Sequence, residues 1–339
     1  MELDIKLPHH TPDTVKQKYH RLSTARRLQR LALYSLLALL AACDNSIITP
    51  PPEPDQPPEA NTIKFVALGD TGTGSENQYA VANAIQQTCE TQGCDFALLL
   101  GDNIYDIGVD GIDDPQLQSK FEAPYRNLNF PFYVVLGNHD YGTAGLVAEK
   151  GQHQVTYSDI SDKWRMPHHY YQFTRANTAF FALDTNAQFW EVDEKQEQVV
   201  ADWINQSTAP WKIAFGHHPY RSNGPHGNAG KYEGISGIPY ISGDGVKDFA
   251  ENVWCGKADL YLSGHDHSRQ WLEPTCQGTQ LIVSGAGAKT TDLKGDNAVL
   301  FQADTLGFVH ITITGGQLNA QFINVNGDVE FTHTVNKPL

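Results

Sequence analysis

From Ile63 onward the chain is punctuated by short unbroken apolar runs, each closed by a polar or glycine-rich turn: IKFVALGD, DFALLLGD, FYVVLGNHD, WKIAFGHH and ADLYLSGHDH. Continuous runs of four to six residues rich in Val, Ile, Leu and Phe predict strands buried on both faces, since a strand with one wet face would alternate. Between them, SENQYAVANAIQQTCE and EVDEKQEQVVADWINQS read as helices, so strand and helix alternate as in an α/β protein. After residue 278 the helical pattern stops, and TQLIVSGAG, GFVHITIT, QLNAQFIN and VEFTHTV read as strands, several of them alternating. There is no internal repeat, and no linker divides residues 63–339.

Upstream the pattern differs. Arg26, Arg27 and Arg30 precede the apolar run LALYSLLALLAAC, which is too short for a membrane span and has the length of a signal-peptide core. Its last four residues, Leu40 to Cys43, resemble the lipobox of bacterial lipoproteins, in which the cysteine is acylated and becomes the mature N-terminus. The expectation is a signal peptide over residues 1–42 and a membrane-anchored, exported protein on the periplasmic side. An ordinary cleaved signal peptide with a stray cysteine is the alternative. Residues 43–62 then form a proline-rich tether, DNSIITPPPEPDQPPEANT after the cysteine. In a polyproline-like form it reaches roughly 60 Å at about 3.1 Å per residue.

Composition narrows the function. The formal charge of −15 falls to −19 once the seven basic and three acidic residues of 1–42 are removed, so no surface is expected to track nucleic-acid phosphates. Hydrophobic content of 40% over 339 residues supports a substantial core. The four cysteines beyond Cys43 fall into two local pairs, Cys89 with Cys94 and Cys255 with Cys276, which form disulfides in an oxidising compartment or remain as reduced, buried thiols.

The chemistry lies at the ends of the five apolar runs, which close on Asp70, Asp102, Asn138, His217, and His265 with His267. Sites in α/β sheets form beyond the carboxyl ends of strands, so these residues are expected to converge. A lone histidine among the fourteen would be read as structural; five strand ends carrying metal-ligand types are not a coincidence of composition.

The ordered set GDTG, GDNIY, GNHD, GHH and GHDH resembles the calcineurin-like metallophosphoesterases, and within them the purple acid phosphatases of the small, tartrate-resistant type, over roughly residues 63–325. The resemblance implies a four-layer α/β/β/α sandwich of two mixed β-sheets flanked by helices. Where most metallophosphoesterases carry Asp-x-His, this chain has Gly72, and the missing ligand is matched by Tyr105, whose phenolate suits Fe(III); a buried core tyrosine is the competing reading. By the resemblance, Asp70, Tyr105 and His267 hold the ferric ion, Asn138, His217 and His265 hold a divalent ion (Fe(II), Zn(II) or Mn(II)), and Asp102 bridges them. Two such ions clamp a phosphoryl group and activate water, so no protein nucleophile is needed.

The resemblance also assigns His139 to contact with the substrate phosphate and His226 to protonation of the leaving oxygen. The family often carries an acidic residue just before the latter histidine, and here the neighbour is Pro225. Asp140 and Asp266 are expected to hold loops or orient ligands, His218 to line the pocket, and His168 and His169 to lie at a strand entry. Gly285 and Gly287 are expected where backbone passes near the site. The expected function is an exported bimetallic acid phosphatase acting on phosphomonoesters of small molecules or phosphorylated substrates, with no protein partner. The alternatives are a phosphodiesterase or pyrophosphatase with the same ions, or a non-catalytic surface binding protein on this fold.

Overall fold

The computed structural model describes residues 62–142, 145–190, 193–238 and 241–339. The expected signal peptide, Cys43 and the tether as far as residue 61 lie outside the described residues. Among the described residues no helix is long and apolar enough to cross a membrane.

Two seven-stranded sheets form the body. In the first, β1 (Thr62–Leu68), β2 (Phe96–Leu100), β3 (Phe132–Val135) and β4 (Trp164–Arg165) run parallel. The other edge of β1 pairs antiparallel with β12 (Gly307–Thr314), followed by β13 (Gln317–Asn324) and β14 (Val329–Asn336). The second sheet contains β5 (Tyr171–Arg175), β6 (Thr178–Ala182), β7 (Trp211–Phe215), β8 (Leu260–Ser263), β9 (Arg269–Cys276), β10 (Thr279–Ser284) and β11 (Val299–Ala303). Its spatial order is β11-β9-β10-β8-β7-β6-β5, with β6, β7, β8 and β10 parallel. Both sheets are mixed.

The longer helices among the described residues are α1 (Glu76–Gln92), α2 (Ala148–Tyr157), α3 (Thr185–Trp190), α4 (Glu194–Gln206) and α5 (Asp244–Phe249). The two helices expected from the sequence are α1 and α4. Asp193 caps α4 by accepting the Gln196 N–H at 3.0 Å, which satisfies one of the donors every helix start leaves open.

The alternation of side chains along the second sheet explains the unbroken apolar runs. Phe180, Ile213, Phe215, Leu260, Leu262 and Ile282 face the first sheet, where they join Phe65 and Phe96 in one core. Their neighbours Phe181, Ala214, Tyr261, Leu281 and Val283 face the other way and pack with Val200 and Ile204 of α4 and Phe249 of α5. At the sheet interface Phe65 stacks on Phe96, and Phe180 meets both rings edge-on. The architecture is the expected α/β/β/α sandwich. Disulfides join Cys89 to Cys94 and Cys255 to Cys276.

Candidate metal centre

The carboxyl ends of β1, β2 and β3 from one sheet and of β7 and β8 from the other meet at one rim, and each passes through a glycine before its polar residue. Close packing explains those glycines. A Cβ on Gly101 would sit 2.5 Å from His217 Nδ1, and one on Gly137 would sit 2.2 Å from Asp102 Oδ1. Three of the five residues that follow such glycines are held in backbone conformations that side-chain-bearing residues avoid: φ is 59° at Asp70, 52° at Asp102 and 69° at His265. Such strain concentrates at functional sites, where the surroundings over-determine the geometry.

Around Asp70, the Tyr105 hydroxyl donates to Oδ1 at 3.0 Å and lies 3.1 Å from His267 Nε2, itself 3.5 Å from Asp70 Oδ1. The other oxygen, Oδ2, accepts the His265 N–H at 2.8 Å. Around His217, Nε2 lies 3.1 Å from Asn138 Oδ1, 3.0 Å from His265 Nδ1 and 3.5 Å from Asp102 Oδ1. Asp70, Asp102 and His217 each bring one donor atom within 4.8 Å of the other two. All seven residues expected as ligands are therefore in one cluster.

The donor chemistry of that cluster fits cations. His217 Nδ1 faces the Leu100 carbonyl at 2.8 Å, and a carbonyl only accepts, so Nδ1 carries the hydrogen and Nε2 of the neutral ring turns a lone pair toward the oxygens of Asn138 and Asp102. Lone pairs and carboxylates facing one another call for positive charge between them. The titration behaviour agrees. Burial and then the Asp102 and Asp70 carboxylates push the Tyr105 phenol well above its ordinary value, so a phenolate there needs a cation. Burial would lower His217, but the Asp102 and Asp70 charges and the Leu100 carbonyl outweigh it and raise it. Burial would likewise raise Asp70, yet the His267 hydrogen bond and the two nearby histidines hold it below the usual range. His265 is pushed well down, by burial and then by the charges of His226, His218, His217 and His267.

Gly72 has no room for a side chain, because its Cβ would fall 1.9 Å from the Asn103 carbonyl oxygen. Instead, the Gly72 carbonyl accepts the Tyr105 N–H at 2.8 Å, so the GDTG turn anchors the loop that delivers the tyrosine. His139 donates its N–H to Asp102 Oδ1 at 2.9 Å and its ring Nδ1–H to the Asp106 carbonyl at 2.6 Å, with its ring 4.6 Å from that of Tyr105. His226 and His218 line a cavity of about 260 Å³ with Asn138, Phe189, Trp190, Tyr232, Glu233, Ile241 and His265.

The family model for calcineurin-like phosphoesterases matches residues 63–269. The chain belongs to that family. Among relatives of this calcineurin-like phosphoesterase, tartrate-resistant acid phosphatase type 5 of Sus scrofa is 30% identical over 78% of this chain and 84% of its own. Purple acid phosphatase 4 of Arabidopsis thaliana is 28% identical over 82% and 83%. In solved structures the fold recurs in purple acid phosphatase PPD1 of yellow lupin seeds, with a TM-score of 0.64, 18% identity and coverage of 83% of this chain and 55% of that one. It recurs also in GAP50, the anchor in the inner membrane complex of Plasmodium, with a TM-score of 0.65, 24% identity and coverage of 82% and 90%. Purple acid phosphatases use a dinuclear centre of iron with a second metal, and the cluster above is the candidate site for one in this metal-dependent phosphoesterase.

Other residues of the calcineurin-like phosphoesterase take supporting places. Asp140 accepts hydrogen bonds from Asn103 N–H and Nδ2, Ile104 N–H, Gly137 N–H and Gln154 Nε2, all between 2.8 and 3.1 Å, and so ties the loops after β2 and β3 together. Asp266 accepts the His226 N–H at 3.0 Å. A Cβ on Gly285 would strike the Asp266 carbonyl oxygen at 2.3 Å, and one on Gly287 the Gly69 carbonyl oxygen at 2.5 Å, so backbone does pass close there. His169 bonds to Tyr141 and Gln152, and His168 packs on Tyr170. Three residues carried no signal in the sequence. Thr185 accepts the N–H groups of His217 and His218 at 3.2 and 3.0 Å; Lys289 sets its ammonium 3.5 Å from the centre of the Tyr105 ring; Glu233 meets His226.

Proposed function

We propose that the chain is an exported phosphatase of the purple acid type that hydrolyses phosphomonoesters. The observation that carries this reading is the position of the Tyr105 hydroxyl, 3.0 Å from Asp70 and 3.1 Å from His267. With two anionic hard oxygens beside one imidazole nitrogen, that trio suits Fe(III), and the more neutral Asn138, His217 and His265 suit Fe(II), Zn(II) or Mn(II), with Asp102 between the two. When bound, such a pair supplies the positive charge that holds a phosphoryl group and makes water nucleophilic.

The chain's own groups supply the rest. His139, fixed through Nδ1 by the Asp106 carbonyl, turns its other ring nitrogen toward the phosphoryl oxygens. His226 gives a proton to the leaving oxygen. The cavity walls of Phe189, Trp190, Tyr232 and Ile241 receive the ester group and exclude water, and about 260 Å³ accommodates one small substituent. Export follows from the lipobox at Cys43, and the tether then holds the enzyme at a membrane surface.

The test is a visible spectrum and metal analysis of the purified domain, with turnover of a monoester against the matching diester. Two metals per chain including iron, a visible band and faster monoester turnover are expected. A protein that binds iron with a second metal and is colourless would remove Tyr105 from the centre, and faster diester turnover would move the assignment to a phosphodiesterase.

A further inference from the structure

Pro225 precedes His226, so no carboxylate flanks this histidine in sequence. One arrives from seven residues downstream: Glu233 Oε1 lies 2.5 Å from His226 Nδ1. The contact is part of a frame. The Glu233 N–H donates to the His226 carbonyl at 3.0 Å, and the His226 N–H donates to Asp266 Oδ1 at 3.0 Å. The His226 ring stacks on His265 with centroids 4.0 Å apart. Ring, main chain and carboxylate leave His226 little freedom.

Glu233 itself adopts φ 53° and ψ 20°, a left-handed conformation that costs a non-glycine residue about 1–2 kcal/mol. Tyr232 beside it is 2% exposed, with its hydroxyl donated to the Pro219 carbonyl, and so holds the strained turn in place. The ion pair does not account for that strain through stability. The two side chains are 35% and 50% exposed, and an exposed pair contributes little to folding. What the turn does achieve is to hold a carboxylate on Nδ1 of a histidine that lines the reaction cavity.

We propose that Glu233 is a positioning residue for the phosphatase reaction. It accepts the hydrogen on His226 Nδ1, fixes the ring plane and leaves Nε2 as the nitrogen that serves the leaving oxygen. The inference rests on the reading of His226 as proton donor. As water forms its bond to phosphorus, the ester P–O bond breaks with its electron pair on the leaving oxygen, and that oxygen takes the proton from Nε2. The proton released by the water passes to solvent, from which His226 is reprotonated, so ester and water become alcohol and phosphate.

The experiment measures kcat and KM of the metal-loaded wild type, Glu233→Ala, Glu233→Gln and His226→Ala on an alkyl phosphate and on 4-nitrophenyl phosphate, with metal content determined for each. Glu233→Ala is expected to lower kcat on the alkyl phosphate roughly 10–100-fold, the usual effect of losing a partner that orients a functional histidine. KM, metal content and turnover of the nitrophenyl ester, whose leaving group needs no proton, should change little. Glu233→Gln, which keeps an acceptor oxygen, should recover most of the loss. In the His226→Ala background Glu233→Ala should cost nothing more, since both act through one ring. Equal slowing of both substrates, loss of metal, or no slowing in Glu233→Ala would overturn the assignment while His226→Ala still discriminates between leaving groups. A His226→Ala protein that slows both esters equally would overturn the proton-donor reading, and Glu233 with it.

Discussion

Replacing Asp140 removes the acceptor for five buried donors at once, without touching any residue of the metal cluster. A buried donor left unpaired costs about 1–3 kcal/mol, so Asp140→Ala forfeits about 5–15 kcal/mol before water enters the vacated space, offset by about 3 kcal/mol because the buried carboxyl, raised to about 6, is gone. That is comparable to the whole stability of a domain, about 5–15 kcal/mol, so the alanine variant is expected not to accumulate as folded protein. Asp140→Asn is the informative change. An amide oxygen in place of Oδ1 still serves Asn103 N–H, Ile104 N–H and Gln154, whereas its NH2 faces Asn103 Nδ2 and Gly137 N–H, the two donors that Oδ2 does not share with Oδ1. Two lost bonds give about 2–6 kcal/mol.

An opposing effect sets where in that range the loss falls. Burial, and then the charge of Asp102, raise the Asp140 carboxyl to about 6, and the neutral amide is spared that penalty at pH 7. The net loss for Asp140→Asn is therefore expected near 2 kcal/mol, about the value of one to two unpaired donors. Gln154→Ala, which removes one donor, should cost less. Guanidinium unfolding midpoints at pH 7 give the stabilities, and metal per chain reports whether the loops carrying Asp102 and Asn138 have slackened, which should lower occupancy in Asp140→Asn. An Asp140→Asn protein with wild-type stability and full metal, or one no weaker than Gln154→Ala, would refute the claim that this carboxylate braces the site.

Three further outcomes are expected. Burial raises Asp184 to about 6, above the ordinary value of about 3.9, so the folded state keeps a proton that the unfolded chain releases. Its stabilisation is full below about pH 4 and is lost as pH rises through 6. Urea unfolding across that window should show wild type falling by up to about 3 kcal/mol relative to Asp184→Asn, and parallel profiles would reject the shift. Tyr105→Phe should abolish the visible band of the iron-loaded protein; an unchanged band would place the chromophore elsewhere. Cys43→Ser should move active protein from the membrane to the soluble fraction, and equal fractionation of the two forms would discard the lipid anchor.

The strand ends that build the site were legible because burial on both faces leaves an uninterrupted apolar run, and a run that closes on Gly-Asp or Gly-His marks its own carboxyl end. Other elements lacked that mark. The sequence of β9, RQWLEPTC, contains Arg269, Glu273 and Pro274, and its Arg269 is buried with Glu330 of β14 at 2.6 Å and Thr305 as its partners. The short β4 has two residues, and the edge strand β5 is wet on one side, so neither forms a run. The helix α2 carries Gly151, which is there because a Cβ would strike Tyr141 at 2.7 Å, a tertiary cause that no local propensity reveals. Glu233 was illegible for a similar reason. Its reach to His226 depends on a left-handed turn seven residues away, and the sequence beside His226 shows only Pro225 where the family often carries an acidic residue.

The antiparallel pairing of β1 with β12 ties the strand that leads to Asp70 to a distant part of the chain. Phe65 lies opposite Ile311, and Thr62 opposite Thr314, so the strand that leads to Asp70 gains its second neighbour from residues up to 252 positions downstream. Contacts between such distant residues form late, because a long loop must close before they give any return. A chain whose β12 has not yet emerged from the ribosome therefore has one side of β1 open, next to Asp70. The sheet that carries Asp70 is therefore expected to close only once residues 307–314 have been made.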